Sequence, residues 1–243
     1  MSDHILQRGF GDNAPAIVNS NEPHMACLFL VDTSSSMSGD PISELNAGIN
    51  RFKQEVCEDK TTREVLDVAI VEFNSDVKTV LPFTPIEYVE PISLHAFGGT
   101  DMAGGLRMAI DMIDERYRFY RKSGSEPYCP WIVMITDGYP DGYDPRSGIL
   151  PNNLQALADE IQLLDDQDKM RLWSLAVAGA DTKFLNKIGH GKRVLVLRDY
   201  DFSKFFDWVH KSMRSISVSS PGEKAQGQNL PENVDKAIDD DWM

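Results

Sequence analysis

Two runs of apolar residues, each followed by an aspartate, constrain the fold of this chain more than any other feature. The run at 26–31 reads ACLFLV and precedes Asp32, and the run at 131–136 reads WIVMIT and precedes Asp137. Because neither run alternates with polar residues, each is typical of a strand that is covered on both faces. Strands of this kind occur in parallel sheets with helices on both sides, so the two runs predict an α/β fold.

The segments between and after these runs predict further strands and helices. Apolar residues at helical spacing predict helices at 41–56 and 102–120. The strand-like segments 66–73 and 77–83 are separated by a short polar turn, which predicts an antiparallel hairpin. The rest of the pattern predicts helices at 153–164, 182–188 and 203–216 and strands at 172–178 and 194–197.

This order of elements predicts a doubly wound, mostly parallel sheet with helices on both faces and one antiparallel edge strand. We assign this Rossmann-like domain to residues 25–218. Residues 1–24 are rich in Gly, Asn, Pro and Ser and are predicted to form an N-terminal extension. Residues 219–243 carry six acidic and two basic residues with little apolar content, which predicts a disordered acidic tail.

The charge and the cysteine content narrow the classes of partner and the cellular compartment. The net charge of −14 repels phosphate backbones, so we expect no binding to nucleic acid. No stretch approaches the roughly 20 apolar residues of a membrane span, so we expect no membrane insertion. The three cysteines, Cys27, Cys57 and Cys129, are odd in number and lack C-x-x-C spacing. This pattern favours a reducing compartment and predicts a cytoplasmic protein.

Polar residues follow the predicted strands at the end of the sheet where ligands bind in doubly wound folds. Asp32, Ser34 and Ser36 alternate after the first run, Thr100 follows a pair of glycines, and Asp137 follows the later run. Two carboxylates and three hydroxyls, without imidazole or thiolate, form a hard oxygen-only site. Such a site favours Mg²⁺, with Mn²⁺ or Ca²⁺ as alternatives, over zinc or copper. Because Mg²⁺ keeps water ligands, an oxygen from a partner could take one coordination position.

Three strings, DTSSSM at 32–37, GGTDM at 98–102 and ITDG at 135–138, together resemble the metal-ion-dependent adhesion site (MIDAS) of von Willebrand factor A (VWA) domains. The resemblance covers residues 25–218. It implies that the five residues just named bind the metal and that an acidic residue of a partner protein completes its shell. One departure is Ser35, because many relatives have glycine there and glycine has greater conformational freedom.

Two longer segments point to one branch of these proteins. FLVDTSSSMSGDPISELNAGI and FGGTDMAGGLRMAIDMID are most similar to bacterial single-domain proteins associated with tellurium resistance, often called TerY-like. This similarity implies a role in a bacterial stress response.

Plainer explanations exist for several of these residues. Asp32 could be a turn or capping residue, and Thr100 could be the N-cap of the following helix. Asp141 and Asp144, in DGYPDGYD, are expected to be turn residues rather than ligands.

The alternative function is a Mg²⁺-dependent phosphatase of the haloacid dehalogenase type, which needs a second acidic residue two positions after its nucleophilic aspartate. That position is Ser34 here, so we predict a binding module and no enzyme.

The acidic tail could make a contact of its own. It ends in AIDDDWM at 237–243, where Trp242 is a lone aromatic among aspartates. The segment is either an inert solubilising tail or a short docking peptide with one aromatic anchor. In a more specific form, an aspartate from one molecule completes the Mg²⁺ shell of another, which predicts weak metal-dependent self-association.

Overall fold

The computed structural model describes residues 22–177, 179–222 and 228–237. Within these ranges the chain forms one seven-stranded sheet in the order β3-β2-β1-β4-β5-β6-β7. All neighbouring strands are parallel except β3 against β2 and β7 against β6. The strands are β1 (Met25–Asp32), β2 (Leu66–Phe73), β3 (Val77–Pro85), β4 (Trp131–Thr136), β5 (Arg171–Ala176), β6 (Val194–Leu197) and β7 (Val234–Lys236).

The predicted fold class is confirmed, and the antiparallel edge strand is β3. A second antiparallel edge strand, β7, lies within the segment predicted to be a disordered tail, so that prediction is wrong for residues 234–236. Three residues are too few to show a strand period in the sequence. Val234 is buried and pairs with Leu197, so the core holds this strand in place despite the acidic composition around it.

Helices cover both faces of the sheet and complete two core layers. One layer lies between the sheet and α1 and α6, and the other between the sheet and α3, α4 and α5. The helices are α1 (Asp40–Glu58), α2 (Lys60–Arg63), α3 (Met102–Lys122), α4 (Asn152–Asp166), α5 (Thr182–Gly189) and α6 (Phe202–Ser217). None of the helices in the described part of the chain has the length and apolar character that a membrane span requires.

Strand β1 lies at the centre of the sheet and determines where the candidate site forms. Its side chains alternate between the two core layers, with Phe29 in one and Leu30 in the other, as expected for a strand covered on both faces. Val31 pairs with Ile135 of the parallel strand β4. Asp32 and Thr136 therefore leave the sheet side by side at its carboxyl edge.

Two sequence predictions fall partly outside the described residues. The N-terminal extension is described only from residue 22, and the proposed docking peptide around Trp242 falls in 238–243, which the structure does not describe.

Candidate metal centre

Asp32 forms the floor of the candidate site. It is fully buried, its Oδ1 accepts a hydrogen bond from the Ser34 backbone N–H at 2.8 Å, and its Oδ2 accepts one from the Thr136 hydroxyl at 2.6 Å. Burial raises the pKa of Asp32 above its ordinary value, the bonds from Ser34 and Thr136 partly offset this, and the charge of Asp137 adds to it. A bound cation would stabilise the charged form of a buried carboxylate that lies beside a second negative charge.

Three side chains continue from this floor to the surface. The Ser36 hydroxyl donates to Asp137 Oδ1 at 2.8 Å, and the Ser34 and Ser36 hydroxyl oxygens are 3.0 Å apart. Ser34 is buried, whereas Ser36 is exposed and Asp137 is half-buried. These contacts link the loop after β1 to the loop after β4. The linking side chains range from buried to exposed.

The loop after β1 adopts a 3₁₀ turn at Ser35–Met37. The backbone N–H of Ser35 donates to the Gly98 carbonyl at 3.1 Å, and its hydroxyl donates to the same carbonyl at 3.0 Å. Ser35 is not among the residues with positive φ, so the loop does not need glycine at this position. The serine instead fastens the β1 loop to the segment that carries Thr100.

Thr100 is brought to the same edge by contacts of the backbone around it. Phe97 N–H donates to the Thr33 carbonyl at 2.8 Å, and Asp101 N–H donates to the Asn74 carbonyl at 2.6 Å. The N-cap of α3 is Asp101, whose side chain accepts from the Gly104 N–H at 2.9 Å. The suggestion that Thr100 is itself the N-cap is therefore wrong, and its hydroxyl is not needed for capping.

Asp141 is a site residue that the sequence analysis treated only as part of a turn. Its Oδ2 accepts from the Thr100 backbone N–H at 2.9 Å, and its own backbone N–H donates to the Thr100 carbonyl at 3.0 Å. A side chain at Gly99 would collide with this carboxylate, so the glycine makes room for the contact. The sequence offered one signal, which is that Asp141 follows Asp137 by only four residues. Its contact with the loop around Gly99 is visible only in the fold. Asp144, by contrast, accepts from the Arg146 N–H in its own loop, as a turn residue does.

The five predicted residues lie on three neighbouring loops, and their donor chemistry fits a hard divalent cation. Four of them, Asp32, Ser34, Ser36 and Asp137, are linked by the contacts given above or by the β1–β4 pairing. Thr100 reaches the site through backbone bonds to the other two loops. Among residues 22–177, 179–222 and 228–237, no three His, Cys, Asp or Glu side chains form a metal-binding group.

Comparison with known proteins identifies the fold family. A family model described as the von Willebrand factor type A domain matches residues 27–209. The pilus adhesin SpaC from Lactobacillus rhamnosus GG, in its open conformation, superposes with a TM-score of 0.63 at 15% identity, covering 81% of this chain and 30% of that one. The VWA domain of the type V pilus tip protein Mfa5 from Porphyromonas gingivalis superposes with a TM-score of 0.58 at 13% identity, covering 84% and 99%.

Proximal thread matrix protein 1 from the mussel byssus is also similar, with a TM-score of 0.55 at 17% identity over 79% of this chain and 47% of that one. Another structure of that protein, with a TM-score of 0.52 at 16% identity over 81% and 46%, has a zinc-occupied MIDAS motif. The chain spans less than half the length of the mussel protein and of a VWA protein from Catenulispora acidiphila. No curated protein matches the chain by sequence. The structural similarities show the fold, and together with the match over residues 27–209 they mean that the chain belongs to the von Willebrand factor type A domain family.

Proposed function

We propose that this chain is a metal-dependent protein-binding module. Asp32, Ser34, Ser36, Thr100 and Asp137 hold a divalent cation, with Mg²⁺ as the first choice, and an acidic side chain of a partner protein completes the coordination. When bound, the cation supplies a position for a carboxylate oxygen from outside the chain. The role of the protein is to hold the ligands in place and leave that position accessible.

The linkage of the β1 and β4 loops through side-chain hydroxyls and carboxylates is the observation that carries this proposal. Asp32 is fixed by its two hydrogen bonds and by complete burial, so one ligand is preorganised by the core. Ser36 and Asp137 face outward and are open to a partner. A site that is rigid at its base and accessible at its mouth suits reversible docking.

Exposed aromatic residues on the same loops support a protein partner. Phe97 is 54% exposed and directly precedes Gly98, whose carbonyl binds Ser35. Tyr139 is 38% exposed and lies two residues after Asp137. Aromatic residues are enriched in protein interfaces, and exposed apolar patches rimmed by polar groups mark interaction sites. The partner segment should therefore carry apolar residues on either side of its acidic residue.

The geometry around Asp32 argues against the phosphatase alternative. Both carboxylate oxygens accept hydrogen bonds and the side chain has no exposed surface, whereas a nucleophilic aspartate must reach its substrate. Ser34 occupies the position where the acid/base residue would be needed. We therefore propose a binding role rather than an enzymatic one.

The identity of the cation and the cellular setting are further parts of the proposal. Oxygen-only ligands support Mg²⁺, Mn²⁺ or Ca²⁺, although the mussel relative holds zinc at its MIDAS motif. Zinc therefore belongs in every metal titration. We place the protein in the cytoplasm because Cys27, Cys57 and Cys129 are all free thiols. We also propose a bacterial stress-response setting, on the resemblance of two sequence segments to TerY-like proteins alone.

Metal-dependent capture of the partner tests this function. The immobilised chain is exposed to native lysate in Mg²⁺ and then eluted with EDTA. We expect the wild type and the control variant Asp144→Asn to retain the same protein, and Asp137→Ala to retain none of it. Replacing each exposed Asp or Glu of the captured protein should identify one acidic residue that binding requires. Retention that persists in EDTA, or that is unchanged in Asp137→Ala, would show that the metal site does not mediate docking.

A further inference from the structure

A cavity of about 450 Å³ lies under α6, at the end of the sheet opposite the metal centre. We call it the tryptophan cavity. Its lining includes the first residues of β4 and β6, whereas the metal centre lies beyond the carboxyl end of β4. Strand β4 is six residues long, so its two ends are roughly 20 Å apart. Its main lining residues are Trp131, Trp173, Arg193, Trp208, Ser212 and Lys236.

The walls of the cavity are aromatic. The ring centroids of Trp131 and Trp173 are 5.0 Å apart, and those of Trp173 and Trp208 are 4.9 Å apart with the rings edge to face. Trp131 and Trp208 are themselves buried in the core, so these walls are fixed. Flat indole faces held at such angles offer large contact area to a planar apolar group. The volume is within the usual range for small-molecule sites, about 300–1,000 Å³.

Two buried hydrogen-bond donors line this cavity. Neither the Trp173 indole N–H nor the Ser212 hydroxyl has a partner among residues 22–177, 179–222 and 228–237. Ser212 is only 7% exposed, so open solvent does not readily satisfy it. Leaving a buried donor unpaired costs about 1–3 kcal/mol, and native proteins pair the large majority of such groups. Two such donors at one cavity are available to an acceptor group.

The charged residues of the cavity are basic. The Arg193 guanidinium lies 5.8 Å from the Trp173 ring centroid and is anchored by Asp165 at 2.9 Å. Arg193 also has a positive φ of 55°, which is uncommon for a residue with a side chain and fixes where the chain turns into β6. Lys236 adds an exposed ammonium from β7. No carboxylate is among the described lining residues, but Asp165 already pairs with Arg193, so the ammonium of Lys236 is what favours an anionic ligand over a cationic one.

We propose that the tryptophan cavity binds a small planar aromatic carboxylate. The ring packs against the indole surface that lines the cavity, and the carboxylate accepts hydrogen bonds from the Ser212 hydroxyl and the Trp173 N–H. Lys236 supplies the complementary positive potential. Because the cavity and the metal centre lie at opposite ends of the sheet, this binding does not depend on the docking function proposed above.

Three probes with the same ring system and different charge test the proposal. Calorimetry measures binding of naphthalene-1-acetate, its neutral amide and 1-naphthylmethylamine to the full chain. Quenching of tryptophan fluorescence in Trp242→Phe provides a second readout, because the three tryptophans that remain all line the cavity. We expect the acetate to bind roughly tenfold or more tightly than the amine, with the amide between them. Equal affinities, or no binding by any probe at millimolar concentration, would overturn the proposal.

Matched serine variants and a chelator assign the binding to this cavity. Ser212→Ala and Trp173→Phe should each weaken the acetate roughly tenfold. Ser217→Ala is the control, because Ser217 is on the same helix but bonds to the Arg214 carbonyl outside the cavity. Excess EDTA, and the Asp137→Ala variant, should leave acetate binding unchanged. Loss of binding in EDTA would mean that the probe had bound at the metal centre, and equal effects of Ser212→Ala and Ser217→Ala would equally refute the assignment.

Discussion

Replacing Asp141 with alanine is expected to weaken metal binding without unfolding the domain. The Asp141 carboxylate accepts a 2.9 Å hydrogen bond from the Thr100 backbone N–H, and Thr100 is 8% exposed. A hydrogen bond to a charged group contributes about 1.5–3 kcal/mol, and removal of residues that orient metal ligands typically reduces affinity 10–100-fold. The lower end is appropriate here, because Asp141 itself is exposed and its backbone bond to Thr100 survives the substitution. We therefore expect a loss of roughly tenfold.

This loss can be read as a change in melting temperature. With the cation at ten times the wild-type dissociation constant, linkage stabilises the wild type by RT ln 11, about 1.4 kcal/mol, or roughly 3–6 °C for a domain of this size. After a tenfold weakening the same cation concentration gives RT ln 2, about 0.4 kcal/mol, or roughly 1–2 °C. The assay is thermal unfolding at fixed protein concentration across a titration of Mg²⁺, Mn²⁺, Ca²⁺ and Zn²⁺.

Asp141→Asn is the matched control for this measurement. Its amide oxygen can still accept from the Thr100 N–H, so most of the metal-induced shift should remain. A full wild-type shift in Asp141→Ala would refute the idea that this carboxylate positions Thr100. A fall of more than about 10 °C in the metal-free melting temperature would instead mean that Asp141 supports the fold as a whole.

The remaining predictions concern the second carboxylate and the core. Asp137→Ala should fold, melt within about 1–2 °C of the metal-free wild type and lose its metal response, which calorimetric titration with Mg²⁺ and with Zn²⁺ checks. Arg116→Met leaves the fully buried Asp67 without its 2.7 Å ion pair and should lower stability in urea unfolding by about 3–5 kcal/mol. Burial raises the pKa of Asp67, but Arg116 and neighbouring donors outweigh it and hold that pKa below its ordinary value. This stabilisation is complete above the ordinary pKa of an aspartate and is lost as the pH falls through the lowered pKa. Arg116→Met should therefore lose this acid-side decline in stability. Gly48→Ala should cost about 1–3 kcal/mol, because its Cβ would meet the Phe206 ring at 2.7 Å, and unchanged unfolding would contradict that packing.

Local signals in the sequence were enough to predict most of the fold and to select the residues of the candidate metal site. Strands β2, β4 and β6 have the predicted bounds, because a buried apolar run ended by a polar residue is complete within a short window. Asp32 and its hydrogen-bond donor Ser34 are two residues apart, so their proximity follows from the chain itself. The link to Thr136 spans 104 residues and depends on the pairing of β1 with β4, which the sequence pattern did not determine.

Contacts that depend on loop paths could not be predicted in this way. Asp141 and Thr100 are 41 residues apart on two loops, and no periodic pattern determines how loops meet. The same holds for β7, which has only three residues and joins the sheet because Val234 is buried beside β6. The tryptophan cavity combines β4, β5, β6, α6 and β7, so its unpaired donors become visible only when these elements are assembled.

The two carboxylates of the candidate metal centre differ in burial, and this difference determines how the protein should respond when each is replaced. Asp32 is fully buried and Asp137 is half-buried. Asp32 is held by core strands and by two hydrogen bonds, so replacing it leaves the Ser34 N–H without its acceptor, whereas the Thr136 hydroxyl keeps a longer contact of 3.4 Å to the Gly138 carbonyl. Asp137 accepts from the exposed Ser36, which water can satisfy once the carboxylate is gone. Both substitutions should abolish the metal response, but only Asp32→Ala should also lower metal-free stability, by about 1–3 kcal/mol for the unpaired Ser34 N–H. Equal metal-free stability of the two variants, measured by urea unfolding, would mean that the core does not preorganise Asp32 and that the cation itself assembles the site.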